Sequence, residues 1–197
     1  MQTKTKMSVV YITKIGVLAA IATVVMLFEI PLWFAPGFYK LDLSEIVVLI
    51  GGFALGPIAA ILIEAIKIVL NFVINGTITG GIGEVANLII GCSFVVPAAL
   101  FYKYKKKMSG ALVGMIIGVV FMTVVGSLLN LYVLLPVYAK VMPVEAIIKA
   151  GSMVNPKIIN FETLVLLATA PFNLFKGIVS SLGTLLLYKK LSPILHK

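Results

Sequence analysis

The chain has 197 residues, 61% of them hydrophobic and only 12% charged, against roughly 45–50% apolar residues in soluble domains. This balance excludes an ordinary soluble globule and predicts an all-α integral membrane protein organised as one domain over residues 1–197. A formal net charge of +9 would suggest nucleic acid in a soluble chain, but here the lysines cluster between apolar runs, where they orient a membrane protein, and nucleic acid is excluded as a partner.

Lys4 and Lys6 precede an apolar run that is too long for a secretory leader and lacks a small-residue cleavage site, so it reads as a retained first span, about Val9 to Pro31. Small residues Gly16, Ala19, Ala20 and Thr23 lie within it, with Gly16 and Ala20 four apart on one face, a spacing that lets a second helix approach closely in lipid. Trp33 to Glu45 is an aromatic loop with one proline, Pro36, apolar enough to cover a ligand. Ser44 and Glu45 open a short helix to about Leu55, expected to be broken at Gly51-Gly52 and again at Gly56-Pro57.

A third span follows from Pro57 to about Ile74. Inside it Glu64 and Lys67 are three apart, share a helix face and are expected to neutralise each other. The glycine-rich loop Asn75 to Ile82 contains a glycosylation sequon, Asn75-Gly-Thr77, of a kind that arises often by chance. A fourth span runs from about Gly83 to Tyr102 with Pro97 inside, stopped by Lys103, Lys105, Lys106 and Lys107. A fifth covers about Ser109 to Pro136, with Gly114, Gly118 and Gly126 at helix-contact spacing and Asn130 near its far end. Val137 to Asn160 is more polar, with a short surface helix expected over Val144 to Ala150, and a sixth span runs from about Phe161 to Tyr188.

Six spans form a six-helix bundle with both termini on one side. Ten of the sixteen lysines then fall on that side and four (Lys40, Lys140, Lys149 and Lys157) on the other, which makes both termini cytoplasmic by the positive-inside rule. The Trp33–Glu45 loop, the glycine loop and Val137–Asn160 face outward.

Lys176 lies about fifteen residues into the last span, near mid-membrane at about 1.5 Å per residue. A lysine there costs about 2.5–3.5 kcal/mol on insertion scales and belongs in a polar cavity or an internal ion pair, for which Glu64 is a candidate partner. Asn173 precedes it by three on the same face, and Pro171 frees the carbonyl of Leu167 nearby. Glu84 and Asn87 repeat the spacing at the outer end of the fourth span. With Asn130, these groups converge beneath the aromatic loop and describe a pocket loaded from outside, suited to a flat heterocycle or to sugar hydroxyls.

Enzyme readings find little support. Gly81-x-Gly83-x-x-Ala86 matches a loose dinucleotide fingerprint, but no strand precedes it, and no phosphate-binding lysine motif is present, so the chain does not hydrolyse ATP by itself. Cys92 and His196, single representatives of their kinds, leave no disulfide, metal cluster or catalytic triad.

These segments resemble the riboflavin-specific substrate-binding (S) component of energy-coupling factor (ECF) vitamin transporters, over essentially the whole chain. The residues that carry the resemblance are the small-residue face of the first span, Phe38-Tyr-Lys-Leu-Asp-Leu-Ser-Glu45, Ile50-Gly-Gly-Phe-Ala-Leu-Gly-Pro57, Asn75 to Asn87, and Asn173-x-x-Lys176. The resemblance implies a cell-membrane protein, not an enzyme, that captures riboflavin outside and docks on a transmembrane coupling subunit driven by two ATPases, with toppling in the bilayer releasing the vitamin inward. It implies no cofactor and no metal. Glu84, Asn87, Asn130, Asn173 and Lys176 would contact the polar ring edge or ribityl hydroxyls, while Phe38, Tyr39, Leu41, Asp42 and Gly81 belong to the loops that close over them. Gly16, Ala19, Ala20 and Thr23 would form the docking face, although the family usually carries alanine at both positions where this chain has Gly16 and Ala20. The alternatives are an S component for another vitamin such as thiamine, an intramembrane enzyme using Glu84 or Lys176 as acid or base, which lacks a paired nucleophile, and a purely structural subunit, which leaves Lys176 unexplained.

Overall fold

The computed structural model describes residues 8–77 and 80–195, with side chains described as far as Tyr188. Lys4, Lys6, His196 and the middle of the glycine loop, residues 78 and 79, lie outside the described residues.

Helix α1, Val9–Met26, starts at Ser8, whose hydroxyl accepts from the Tyr11 amide at 3.2 Å. The chain then crosses over the end of the bundle in a loop clasped by a two-residue antiparallel ladder, β1 (Ile30–Pro31) with β2 (Lys40–Leu41), pairing Ile30 with Leu41 and Pro31 with Lys40. Leu32, Ala35 and Leu41 of this loop are buried together with Phe172. Its apolar side chains thus hold it down against the last helix.

Helix α2 follows, Ser44–Leu55. It runs unbroken through Gly51-Gly52, contrary to the sequence expectation, because these glycines serve packing: a Cβ on Gly52 would stand 3.1 Å from the methyl groups of Ala60 and of Ala99. The break comes at Gly56, whose φ of +96° is open to glycine, and Pro57 then opens α3, Pro57–Asn75. Helix α4, Ile82–Tyr104, continues through Pro97.

Helix α5, Met108–Leu129, packs closely on α4: a Cβ on Gly114 would lie 2.7 Å from the Ala98 carbonyl oxygen, so only hydrogen fits between the two backbones. A π-helical turn, Asn130–Leu134, leads without interruption into α6, Leu135–Val141. The expected surface helix is α7, Val144–Ser152. It is a surface helix, with Val144, Glu145, Ala146 and Lys149 exposed, anchored by Ile147, which is buried with Leu135, Ile158 and Leu164. The last span opens at α8, Phe161–Leu164, where Asn160 and Thr163 form a reciprocal capping box. A second π-turn, Val165–Thr169, then leads into α9, Ala170–Leu195.

Among the described residues, five helical stretches are long and apolar enough to cross a membrane: Val9–Met26, Pro57–Asn75, Ile82–Tyr104, Met108–Val141 and Phe161–Tyr188. α2 has 12 residues, about 18 Å of helix, shorter than a bilayer core of about 30 Å. It is enclosed by α1, α3, α4 and α9 and brings Ser44 and Glu45 into the interior.

Candidate ligand-binding site

Beneath the clasped loop lies a cavity of about 420 Å³, within the range of small-molecule sites. The loop supplies Phe38, Tyr39 and Asp42, α4 supplies Glu84 and Asn87, and α9 supplies Asn173 and Lys176, with Asn130 from the first π-turn. Eight of the ten ligand-site residues expected from sequence thus line one cavity. Leu41 and Gly81 do not: Leu41 is packed under the loop against Phe172, and Gly81 caps α4 in the left-handed region at φ +93°.

The aromatic part of the lining is ordered by ring contacts. Tyr39 stacks on Phe172 with centroids 5.3 Å apart, and Phe38 meets Tyr39 edge-on at 4.7 Å and Tyr138 at 6.5 Å. The Tyr39 hydroxyl donates to Asn130 Oδ1 at 2.8 Å and lies 2.7 Å from Thr169 Oγ1. Burial pushes this hydroxyl well above its ordinary range, outweighing the opposing hydrogen bond with Thr169, so it stays protonated. On the other side, Thr77 Oγ1 donates to Glu84 Oε2 at 3.0 Å and accepts from the Gly81 amide at 3.2 Å, tying the glycine loop to the first turn of α4.

Lys176 pairs with Asp42 and not with Glu64: Nζ lies 2.7 Å from Asp42 Oδ2. Asp42 also accepts from the amide of Ser44 at 3.0 Å and from its hydroxyl. Burial raises the Asp42 carboxyl, but the Lys176 and Lys67 charges, with the Lys176 and Ser44 hydrogen bonds, together hold it well below the usual carboxylate range. Deeper in the bundle, the expected pairing of Glu64 with Lys67 is present at 2.7 Å. Lys67 Nζ also lies 3.0 Å from Glu45 Oε1 and donates to Ser44 Oγ at 3.1 Å. Gly91 of α4 makes room for this group, since a Cβ there would collide with the Glu64 carboxylate.

Asn71, Tyr138, Ile147 and Phe172 also line the cavity and were missed from sequence. Asn71 was within reach, being four residues after Lys67 and seven after Glu64 on the same helix face. Thr169 carried no sequence signal, being one hydroxyl in an apolar run.

Of the four small residues on α1, Gly16 and Ala20 are exposed, whereas Ala19 and Thr23 are buried, with Thr23 Oγ1 donating to the Ala19 carbonyl at 2.8 Å. The latter pair therefore packs the bundle, and the outward small-residue face consists of Gly16 and Ala20. Among the described residues no group of acidic, histidine or cysteine side chains is placed to hold a metal ion.

Apolar helices around a cavity lined by aromatic, aliphatic and polar side chains define a multi-pass membrane protein that can enclose a small flat molecule. The model of the substrate-specific component of ECF transporters matches residues 10–188, and the chain belongs to that family, a family of transporters and not of enzymes. It is 33% identical to the riboflavin transporter FmnP of Bacillus subtilis over 188 residues, covering 95% of this chain and 94% of that protein. It is likewise 33% identical to the riboflavin transporter RibU of Staphylococcus aureus over 183 residues, covering 93% and 90%. The solved S component of a bacterial ECF transporter superposes with a TM-score of 0.75 at 31% identity, covering 95% of this chain and 98% of that one.

Proposed function

We propose that this protein captures riboflavin in the cavity beneath the 27–43 loop and serves as the S component of an ECF uptake system in the cell membrane. The observation that carries the reading is the cavity itself: aromatic faces from Tyr39, Phe172 and Tyr138 sit beside Asn87, Asn130, Asn173, Lys176 and Glu84, a lining matched to a flat ring with a polar edge and a hydroxylated chain. The names of the FmnP and RibU relatives support the same ligand.

In this reading the rings cover the isoalloxazine faces, and the amides and Lys176 bond the ring edge or the ribityl hydroxyls. The loop and the glycine stretch close the entrance. α2, too short to cross alone, completes a sixth pass together with the 27–43 loop, which puts both termini in the cytoplasm, as the excess of lysine on their side favours, and the cavity then opens outward. Because the sequence has no phosphate-binding lysine motif, energy comes from two separate ATPases through a transmembrane coupling subunit that docks on the exposed Gly16 and Ala20 face of α1.

Titration of the purified protein with riboflavin tests the substrate. Saturable quenching of flavin fluorescence at one ligand per chain is expected, and unchanged fluorescence at every protein concentration would refute the assignment.

A further inference from the structure

Two helices flanking the cavity are interrupted in the same way. The π-turn Asn130–Leu134 is closed by the Leu135 amide donating to the Asn130 carbonyl, and Pro136 comes next. The π-turn Val165–Thr169 is closed by the Ala170 amide donating to the Val165 carbonyl, and Pro171 comes next. A proline withholds the amide proton that would bond four residues back and crowds that carbonyl, and a widened turn relieves the crowding. Asn130 opens the first π-turn and Thr169 ends the second, and their side chains meet at one atom, the Tyr39 hydroxyl.

The hydrogen bonds at this junction have a single consistent direction. Asn130 Nδ2 donates to the Gly126 carbonyl at 2.8 Å, which orients its amide with Oδ1 toward Tyr39. Tyr39 gives its one proton to that oxygen, so Thr169 must donate to the Tyr39 oxygen. With Oδ1 and one N–H engaged, Asn130 has one N–H left for the cavity and presents a donor to whatever binds there. Thr169 is fully buried and does not line the cavity, so it cannot touch a ligand.

We propose that Thr169 is a positioning residue of the ligand site: its hydroxyl holds Tyr39, and through Tyr39 it sets Asn130 as a donor and keeps the 27–43 loop clasped over the bound molecule. The clasp joins three distant parts of the chain, the loop and the two π-turns, and ligand release requires it to open.

The functional arm of the test rests on riboflavin being the ligand. Release of riboflavin is followed by fluorescence recovery after dilution for wild type, Thr169→Val, Thr169→Ser and Tyr39→Phe. Removing a buried hydrogen bond should make release about tenfold faster in Thr169→Val and Tyr39→Phe. Thr169→Ser, which keeps the hydroxyl, should release at the wild-type rate, and the double variant Tyr39→Phe with Thr169→Val should be no faster than either single one. Wild-type release from both single variants, or effects that multiply in the double variant, would overturn the clasp. Hydrogen exchange of the 32–43 amides in ligand-free protein gives a second arm that needs no ligand: exchange should quicken in Thr169→Val and not in Thr169→Ser, and equal exchange in both would overturn the proposal. If wild type binds no riboflavin, the substrate assignment falls and the exchange arm alone decides the clasp. If Thr169→Val does not fold, Tyr39→Phe and Thr169→Ser carry both arms.

Discussion

Lys67 and Lys176 are both buried lysines on apolar helices, 1% and 7% exposed, yet their surroundings differ. Lys67 has three N–H donors and three close partners, Ser44, Glu45 and Glu64, and it does not line the cavity. Lys176 has one described ion-pair partner, Asp42, and lines the cavity, so donor capacity is left over. Burial alone does not separate a lysine that holds helices together from one that faces a cavity. The count of donors against partners does.

The largest expected effect comes from breaking the group around Lys67. Lys67→Met would leave Glu45 and Glu64 buried without their counter-charge, a loss of about 3–5 kcal/mol. The protein should fail to accumulate in folded form or show a much lowered unfolding midpoint in detergent. Retained stability would mean that the group is not the structural tie between α2 and α3 that its geometry describes.

The cavity side should respond in the opposite sense, with binding affected more than folding. Asn173→Ala and Lys176→Ala are each expected to weaken riboflavin binding at least about tenfold, about 1.4 kcal/mol, while destabilising the fold less than Lys67→Met. Wild-type affinity in both variants would move the site elsewhere.

The smallest effect is electrostatic and appears in acid. Because the folded Asp42 carboxyl is held below the usual carboxylate range, its ionic contribution is fully present above that range and is lost as the pH falls through it toward the depressed folded value. The stability difference between wild type and Asp42→Asn should therefore be constant near neutrality and shrink in strong acid. A difference that does not change with pH would show that the Lys176 pair contributes no ionic stabilisation.

Much of this comparison was readable before the fold was known, and the unread part has physical reasons. The Glu64–Lys67 pair and the shared face of Asn173 and Lys176 follow from helix spacing alone. The partner of Lys176 does not, because Asp42 is 134 residues away in sequence and no local period links the two. Glycine was read as a helix breaker at Gly51-Gly52, whereas Ala60 and Ala99 beside it make it a packing residue. Ala19 and Thr23 could not be separated from Gly16 and Ala20, because α1 is apolar all round and lipid-facing and core-facing positions look alike in such a helix. The π-turns before Pro136 and Pro171 were not read; the carbonyl of Leu167 freed by Pro171 was the one sign, and of the second turn alone.

Riboflavin capture is tested most directly by the absorption spectrum of the protein purified from cells supplied with riboflavin. A flavin band co-eluting with the wild-type protein at about one ligand per chain, and reduced in Lys176→Ala, is the predicted result. A well-folded wild-type protein that carries no flavin band, and gains none on incubation with riboflavin, would contradict it.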